Sequence, residues 1–422
     1  MKVLHAHPQA GIFIRQTALA YHENNLLESF LTTFISHKEY FLSNLITKIA
    51  PYLKTQLERK AIHEIPYSRI KTYPYKELLR LFASRYTSAA TTDTVFEWAE
   101  YSFDRWVASQ IKAIQPNAVH CYEHASLATL QMAKKKGIFT VYEQPSQHHT
   151  FFAPIVTEQL KKYPELASNE TSLLINDKSI YRNKRRDKEL STTDIILCNS
   201  SFTKRTLVDA NIDKKKIHVI PHGFPKSLSI IKEKNINDRP VVFLNAGTQN
   251  LRKGIHLLYN AWKKANFSEK EAELWLIGKN TLPEKLLQGI GQNVRIKDSI
   301  PREELMQLYK EADIFILPTL ADGFAMVLSE AMSQGVPVIT TPNSMAPDFI
   351  IHNKNGWIVP VGKEEELLNQ MKWCVENKHL IPKISHEALE TAKKWQWKDY
   401  RKKTAETVQN QYLLHEEAKN RK

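Results

Sequence analysis

The sequence predicts an α/β protein made of two consecutive doubly wound, Rossmann-like domains. Short apolar runs alternate with amphipathic helical stretches along nearly the whole chain, and the alternation restarts after a polar, lysine-rich stretch. The 422 residues also exceed what one hydrophobic core usually supports. We therefore expect a first domain over 1–225, a linker over 226–240 and a second domain over 241–395. Residues 396–422 are expected to form a helix that returns to the first domain.

Five segments of the first half have the short apolar pattern of buried parallel strands. They are MKVLHAH, NAVHCY, GIFTVYEQ, TDIILCNS and KIHVIPHG. Helical patterns such as FEWAEYSFDRWVASQIKAI and SFTKRTLVDANI separate them, and Ser200 or Ser201 could cap the second of these helices. Residues 25–90 are rich in Leu, Phe, Tyr and Lys with few breakers, and they predict no definite element.

The second half repeats the alternation. Its strand-like segments are RPVVFLNAG, AELWLIGKN, ADIFILPTL, VPVITT and GWIVPV. Its helical segments are GIHLLYNAWKKA, REELMQLYKEA, GFAMVLSEAMSQG and EEELLNQMKWCVEN, and Gly335 ends the third of these helices.

Composition narrows the class of protein. Hydrophobic residues make up 42% and charged residues 25%, the profile of a soluble globular protein. Because the chain has no apolar run of 18 residues and no signal-peptide pattern, we expect a cytoplasmic location. The three cysteines Cys121, Cys198 and Cys374 lie too far apart in sequence for a paired zinc motif.

The net charge of +14 favours an anionic partner. Phosphorylated small molecules and the inner, acidic face of a membrane both fit, whereas the chain has no recognised nucleic-acid motif and we expect no nucleic-acid partner. A generally basic, solvated surface explains the surplus equally well. Segment 26–60 mixes Leu, Phe and Ile with Lys and Arg, so it fits either a peripheral, interfacial helix or a segment packed inside the first domain.

The loop from Gly247 to Gly254 is the first candidate site. It is not a Walker A loop, because its spacing differs and no Lys-Ser/Thr pair follows the second glycine. It places Arg252 and Lys253 just before a helix amino terminus, where two cations and backbone N–H groups would converge on an anion such as a diphosphate. A plain βα loop with exposed basic residues is the alternative.

The second candidate site lies in LPTLADGFAMVLSEAMSQGVPVI, where Asp322 precedes a helix and Glu330 lies within it. Gly323 would let a ligand approach the backbone closely, and the helix start would offer free N–H groups. Because Glu330 is a carboxylate on an otherwise apolar helix face, it needs a partner, and paired ribose hydroxyls would suit it. The alternative is a structural carboxylate bonded to backbone or water.

The spacing of Asp322 and Glu330 resembles the acidic-x7-Glu signature of glycosyltransferase family 4, the group 1 glycosyl transferases. The segment AGTQNLRKGIHLLYNAW resembles the family's diphosphate loop, and AELWLIGKN, ADIFILPTL, VPVITT and NGWIVPV follow in the family's order. The resemblance covers about 190–375 strongly and 1–150 weakly. It implies the GT-B fold, in which two Rossmann-like domains face each other across a cleft.

The resemblance also implies an activity. Members of this family transfer a sugar from a nucleotide-diphosphate sugar to a saccharide or lipid-linked acceptor, with retention of anomeric configuration and without a metal or other cofactor. The sequence agrees on the metal, since it has no Asp-x-Asp triplet placed to bridge a diphosphate to a divalent ion. We therefore expect a hexosyltransferase-like enzyme of cell-surface polysaccharide or glycolipid synthesis.

The resemblance assigns roles to residues that match the family's motifs. Glu330 would hold the ribose hydroxyls, and Lys253 with Arg252 would neutralise the diphosphate. Asp322 would contact hydroxyls of the transferred sugar, although the family often has the longer Glu there. The remaining donor-side positions are Gly11, Gly247, Gly323 and Phe324.

The catalytic side of the first domain departs from the family. Many members have a histidine just after the strand GIFTVY, where this chain has Glu143. His148 and His149 could replace that histidine, as could His120 or His124. The departure favours one alternative function, a non-catalytic nucleotide-sugar-binding protein of the same fold. A sugar-nucleotide epimerase or a phosphorylase is the alternative among enzymes.

Overall fold

The computed structural model describes residues 1–37, 39, 61–167, 171, 177–229 and 236–421. Within them the chain forms two β-sheets, one of seven and one of six strands. Every strand pair in both sheets is parallel. The prediction of a two-sheet, doubly wound α/β protein is confirmed.

The first sheet has the strand order β3-β2-β1-β4-β5-β6-β7. Its strands are β1 (Val3–Ala6), β2 (Leu27–Thr32), β3 (Ile70–Thr72), β4 (Ala118–Tyr122), β5 (Phe139–Gln144), β6 (Ile195–Cys198) and β7 (Ile217–Val219). The helices of this part are α1 (Ile12–Glu23), α2 (Tyr75–Tyr86), α3 (Ala89–Ile114), α4 (Leu127–Lys135), α5 (His149–Lys162), α6 (Asp177–Thr192) and α7 (Ser201–Asp209). Ser200, not Ser201, caps α7, because its hydroxyl accepts from the Thr203 N–H.

The second sheet has the order β10-β9-β8-β11-β12-β13. Its strands are β8 (Val241–Ala246), β9 (Ala272–Ile277), β10 (Val294–Lys297), β11 (Ile314–Leu317), β12 (Val338–Thr340) and β13 (Gly356–Ile358). The helices are α8 (Ile255–Ala265), α9 (Arg302–Glu311), α10 (Met326–Ser333), α11 (Ala346–Phe349), α12 (Glu364–Glu376), α13 (Ile381–Lys394) and α14 (Trp397–Asn420). Strands β8, β11 and β12 are buried along their whole length, as expected of parallel strands covered on both faces.

Helix α14 packs against the first sheet's part of the molecule. Trp397 and Tyr400 belong to the same buried apolar cluster as residues of β1 and β2. The Tyr400 hydroxyl lies 2.7 Å from Thr17 Oγ1 on α1, and the Arg401 guanidinium donates to the Glu23 carboxylate at 2.7 Å. The end of the chain therefore covers α1.

Gly223→Ala is expected to destabilise the protein, because a Cβ there would overlap the backbone of Gln396 and Trp397 at the start of α14. Because backbone atoms cannot rotate away as a side chain can, we expect the free energy of unfolding to fall by about 1–3 kcal/mol. Denaturant unfolding measures it. Gly11→Ala is the matched control, since a Cβ there would meet no atom within 4 Å. Equal stability of the two variants would contradict the contact.

Segment 26–60 does not form an interfacial helix over its first residues. Leu27–Thr32 is strand β2, which lies between β1 and β3 and is almost entirely buried. The interfacial interpretation is therefore wrong for this strand, whose apolar side chains are taken up by the core. Residues 40–60 lie outside the described residues. Among the helices in the described part of the chain, none has the length and apolar character needed to cross a membrane.

Candidate functional site

The two candidate loops lie side by side at the carboxyl end of the second sheet. Loop 247–254 follows β8 and loop 318–325 follows β11, and these two strands are neighbours. The chain order reverses between them, because β9 and β10 extend the sheet on one side and β12 and β13 on the other. Such a switch point leaves a crevice in which α/β proteins bind ligands.

Gly254 is required where these loops meet. Its φ is +70°, and a Cβ there would overlap the Pro318 carbonyl of the neighbouring loop. The Leu320 N–H then donates to the Arg252 carbonyl at 2.9 Å. Loop 247–254 is thereby held against loop 318–325, and α8 begins at the next residue.

Asp322 brings both predicted cations together. Its carboxylate pairs with the Lys253 ammonium and, at 3.1 Å, with the Arg252 guanidinium. Its other oxygen accepts from the Ala325 N–H at 2.9 Å, at the start of α10. Burial alone would raise the pKa of Asp322, but the charges of Lys253 and Arg252 outweigh burial and hold that pKa well below its usual range. The carboxylate is therefore ionised and occupies the position next to both cations.

Glu330 is held by two residues of α9. The Arg302 guanidinium lies 3.0 Å from its carboxylate, and the Tyr309 hydroxyl, which donates to the Val327 carbonyl at 3.4 Å, also acts on its charge. Burial raises the pKa of Glu330, while Arg302 and Tyr309 oppose that shift. The side chain is 13% exposed, so it is accessible only from one side. A partly buried carboxylate with one cation is suited to accept hydrogen bonds from neutral hydroxyls.

At Gly323 the structure shows a close approach that the sequence analysis did not predict. A Cβ at Gly323 would overlap the Pro145 carbonyl, which follows β5 in the first sheet. The Gly323 carbonyl also accepts from the Ser200 hydroxyl at the start of α7. The close approach that excludes a side chain is therefore made by the protein's own backbone, and Gly323 lies where the two halves of the molecule touch.

The other donor-side positions are Phe324, Gly247 and Gly11. Phe324 is buried, with its ring 5.2 Å from that of His222. Gly247 has φ +124°, and a Cβ on Gly247 or on Gly11 would meet no atom within 4 Å. Gly11 precedes α1 in the first sheet's half and belongs to a different loop from the cation cluster. Both glycines thus border open space.

The candidate catalytic residues of the first half separate into two groups. The first group contains Glu143, on β5, and His120. Glu143 is buried, and its Oε2 lies 3.1 Å from His120 Nε2, although the angle is not that of a hydrogen bond. The Tyr21 hydroxyl lies 2.6 Å from the other ring nitrogen of His120. His148 and His149 form the second group, together with Asp187.

His124 belongs to neither group. Its φ is +78°, which is uncommon for a residue with a Cβ, and its backbone N–H donates to Glu189 at 3.0 Å. Burial lowers the pKa of His124 to about 4, assisted by the charges of Arg182 and Arg185. The ring is therefore neutral at physiological pH.

We expect that changing Glu143, His148 and His149 singly to alanine will produce at least one large loss of turnover with donor binding retained. We expect the largest effect at Glu143, since its buried carboxylate lies 3.1 Å from His120 and it stands where many members of the family have a histidine. Single-turnover kinetics and nucleotide titration measure the two effects separately. Near-neutral results for all three would shift attention to His120 and His124 or favour a non-catalytic protein.

Four residues of the site were not predicted. Arg302 and Tyr309 reach Glu330 from α9, a helix to which the sequence assigned no role. Ala325 has φ +59°, a strained conformation for a non-glycine residue, just before α10. His222 packs between Phe13 and Phe324, and no pattern in the sequence pairs these distant segments.

Comparison with known proteins identifies the family. The model of glycosyl transferases group 1 matches residues 227–395, and the model of glycosyltransferase family 4 matches residues 94–227. The two matches adjoin and together cover both candidate loops and the first-half groups. The chain belongs to glycosyltransferase family 4, as the order of its motifs predicted.

Curated relatives are distant. The chain is 24% identical to the amylovoran biosynthesis glycosyltransferase AmsK of Erwinia amylovora over 236 residues, which cover 52% of this chain and 58% of that protein. It is 22% identical to the lipopolysaccharide 1,2-N-acetylglucosaminetransferase of Salmonella typhimurium over 361 residues, 73% of this chain and 93% of that one. The match thus spans little more than half the length of the amylovoran transferase.

Solved structures share the fold. Sucrose-phosphate synthase from Thermosynechococcus elongatus superposes with a TM-score of 0.67 at 16% identity, covering 98% of this chain and 100% of that one. HepE of Anabaena in complex with UDP-glucose superposes with a TM-score of 0.60 at 14% identity, covering 97% of this chain and 100% of that one. The predicted GT-B fold is therefore confirmed, and at these identities the likeness concerns the fold alone.

Proposed function

We propose that the protein is a retaining glycosyltransferase that moves a sugar from a nucleotide-diphosphate sugar to an acceptor in cell-surface polysaccharide or glycolipid synthesis. The observation that carries the proposal is the cluster of Lys253, Arg252 and Asp322 at the switch point of the second sheet. Two cations next to two helix amino termini suit a diphosphate. Retention of configuration rests on the family resemblance.

The reaction is a displacement at the anomeric carbon. The acceptor oxygen bonds to that carbon, the bond to the diphosphate oxygen breaks, and the acceptor's proton leaves toward the departing phosphate or a neighbouring base. Negative charge grows on the diphosphate as the bond lengthens. Fixed cations and backbone N–H groups that face this charge lower the barrier most when they are already in position. The backbone of Lys253 is fixed by the Asn250 side chain, and that of Arg252 by the Leu320 N–H.

Asp322 has two roles in this proposal. Without a donor, its carboxylate balances the charges of Lys253 and Arg252. A bound diphosphate would compete for the same cations, so the carboxylate would be released toward hydroxyls of the transferred sugar. Glu330 would accept hydrogen bonds from the ribose hydroxyls, and Arg302 would keep it ionised. Phe324, Gly323, Gly247 and Gly11 would border the bound donor.

No divalent ion is needed for the diphosphate in this scheme, because Lys253 and Arg252 supply the neutralising charge. We likewise propose that no other cofactor takes part. The relatives described above are transferases, which favours transfer over the epimerase, phosphorylase and non-catalytic alternatives. The solved complex of HepE with UDP-glucose supports a nucleotide-sugar donor.

A panel of nucleotide sugars tests the proposal. The melting temperature of the full chain should rise with one donor and with the matching nucleoside diphosphate, because ligands that bind only the folded state stabilise it. The stabilising donor should then be hydrolysed slowly without acceptor. A protein that is stabilised but releases no nucleotide, with or without acceptor extracts, would be a binding protein. Stabilisation by no donor at all would contradict the proposal.

A peripheral contact with the inner membrane face is a separate proposal, which rests on the net charge of +14. Each cation near an anionic surface contributes about 1 kcal/mol, and salt screens that attraction. We expect the protein to sediment with anionic vesicles at low salt and to be released at high salt, while neutral vesicles bind little. Absence from the anionic pellet at low salt would leave an enzyme that acts on a soluble acceptor in the cytoplasm.

A further inference from the structure

We propose that His148, His149 and Asp187 form a binding site for a divalent transition metal of the Zn²⁺ type. Two imidazoles and one carboxylate are a ligand set that such metals accept, with the fourth position left to water or another ligand. The site lies between the start of α5 and the middle of α6. It is independent of the diphosphate chemistry proposed above, where no metal is required.

The three ligand atoms already face one point. His149 Nε2 lies 2.7 Å and His148 Nε2 lies 3.3 Å from the same oxygen of Asp187, and all three atoms lie within 4.8 Å of one another. Two ligand atoms of a tetrahedral zinc lie about 3.3–3.5 Å apart, because each is about 2.0–2.2 Å from the metal. The His148 pair has that separation, and the His149 pair needs to open by less than about 1 Å.

The backbone explains why neighbouring histidines can share a metal. His148 is the extended residue that caps α5, with φ −60° and ψ 143°, whereas His149 is the first helical residue. The change of conformation between them turns both rings the same way, and their centroids lie 4.2 Å apart. Two successive residues inside a strand would point in opposite directions and could not do this.

His148 is oriented by contacts on its far side. Its Nδ1 lies 2.8 Å from the Thr150 hydroxyl, and its backbone N–H donates to the Thr206 hydroxyl at 3.0 Å. In the structure Nδ1 also accepts from the Thr150 N–H at 3.4 Å, as the cap of α5. A metal on Nε2 would require the ring hydrogen on Nδ1, which would then donate to the Thr150 hydroxyl, as in many zinc sites. The His148 side chain is 5% exposed and that of Asp187 is 51% exposed, so the site is anchored inside and open to solvent on one side.

Several positive charges near the site oppose a cation. The amino terminus of α5 carries a partial positive charge, which lowers the affinity for a cation by less than about tenfold. Arg186 precedes Asp187, but its guanidinium is paired with Glu123, which offsets its charge. The three inner ligands must outweigh the remaining field, including that of Lys184 and Lys188 on the same helix.

A metal at this site would link α5 to α6. Helix α5 also reaches the second half of the molecule, where the Gln159 amide contacts His256 at 2.9 Å and the Tyr163 hydroxyl donates to Glu364 at 3.3 Å. Fixing the start of α5 would thus stiffen a helix that touches both halves. The alternative is that no metal binds and that His149 and Asp187 form a simple ion pair.

Metal titration of the full chain, made without a polyhistidine tag and stripped with chelator, tests the proposal. We expect one Zn²⁺ to bind per chain by calorimetry, Co²⁺ to give the visible absorption of a four-coordinate site with nitrogen ligands, and Mg²⁺ to bind negligibly because it prefers oxygen ligands. Thr150→Val should weaken Zn²⁺ binding by about 10–100-fold, the usual effect of losing an outer hydrogen bond.

His149→Ala and Asp187→Asn should each abolish the Co²⁺ absorption, and His379→Ala, which removes an exposed histidine on another part of the chain, should leave it unchanged. Circular dichroism shows whether each variant is folded. Unchanged metal binding in folded His149→Ala and Asp187→Asn variants would overturn the proposal. Failure of the wild type to bind Zn²⁺ would overturn it too and would leave the ion pair.

Discussion

Replacing Glu330 by alanine is expected to abolish sugar transfer and to weaken nucleotide binding. The carboxylate is 13% exposed and pairs with Arg302 at 3.0 Å, so it can accept two ribose hydroxyls without losing that pair. A hydrogen bond to a charged group contributes about 1.5–3 kcal/mol. Losing two of them corresponds to at least about a hundredfold weaker binding. Titration of the nucleoside diphosphate and steady-state turnover measure the two effects.

The Glu330→Ala experiment needs a control for its effect on Arg302, the cation that pairs with Glu330. Glu330→Ala leaves the Arg302 guanidinium without its carboxylate, which could disturb α9 rather than the ribose contact. Glu330→Gln keeps the shape and a hydrogen-bond acceptor, so it should retain more affinity than Glu330→Ala. Glu311→Ala, at an exposed position of the same helix α9, is the matched control. Wild-type affinity and turnover in folded Glu330→Ala would rule out the ribose role.

The sequence predicted the second sheet better than the first. Strands β8, β9, β11, β12 and β13 were predicted because parallel strands covered on both faces are continuous apolar runs. Strand β10 was missed because its residues Val294–Lys297 are mostly exposed at the sheet's edge, where charged side chains interrupt the apolar pattern. Strands β2 and β3 were missed because residues 25–90 contain few turn residues to mark where an element ends.

The site was predictable where two loops follow neighbouring strands. Lys253 and Asp322 are about seventy positions apart in sequence, but the reversal of strand order brings their loops together, as doubly wound sheets do. Contacts between the two halves were not predictable in this way. The packing of Gly323 against Pro145 depends on how the halves meet, and a single sequence carries no pattern for that orientation.

The glutamate at position 143 shows what a resemblance can and cannot supply. The motif order identified the position at which many relatives have a histidine, but it did not show what replaces that side chain. In the structure His120 lies on the adjacent strand β4, with its Nε2 3.1 Å from Glu143. An imidazole therefore remains at this place in the fold, although it comes from a different strand.

Lys253→Ala is expected to reduce turnover by about tenfold to a thousandfold, the usual range when a fixed group that stabilises transition-state charge is lost. Arg252→Ala should have a smaller effect, because its side chain is 36% exposed, against 16% for Lys253, and water screens its charge more. The loss should appear mainly in kcat, since charge on the diphosphate is greatest in the transition state. Lys264→Ala, which removes an exposed lysine from α8, is the matched control.

A second substitution, at Asp322, shows whether Lys253→Ala reduces turnover directly or by lowering stability. Lys253→Ala leaves the Asp322 carboxylate with Arg252 as its cation in a largely buried place, which should lower stability as well as turnover. Combining Lys253→Ala with Asp322→Asn removes both charges of that pair, so stability should recover, while turnover should stay below that of Asp322→Asn alone, which removes only the proposed sugar contact. Recovery of turnover together with stability would mean that Lys253 acts only by neutralising Asp322. Normal turnover in the Lys253→Ala, Arg252→Ala double variant would mean that the phosphates bind elsewhere.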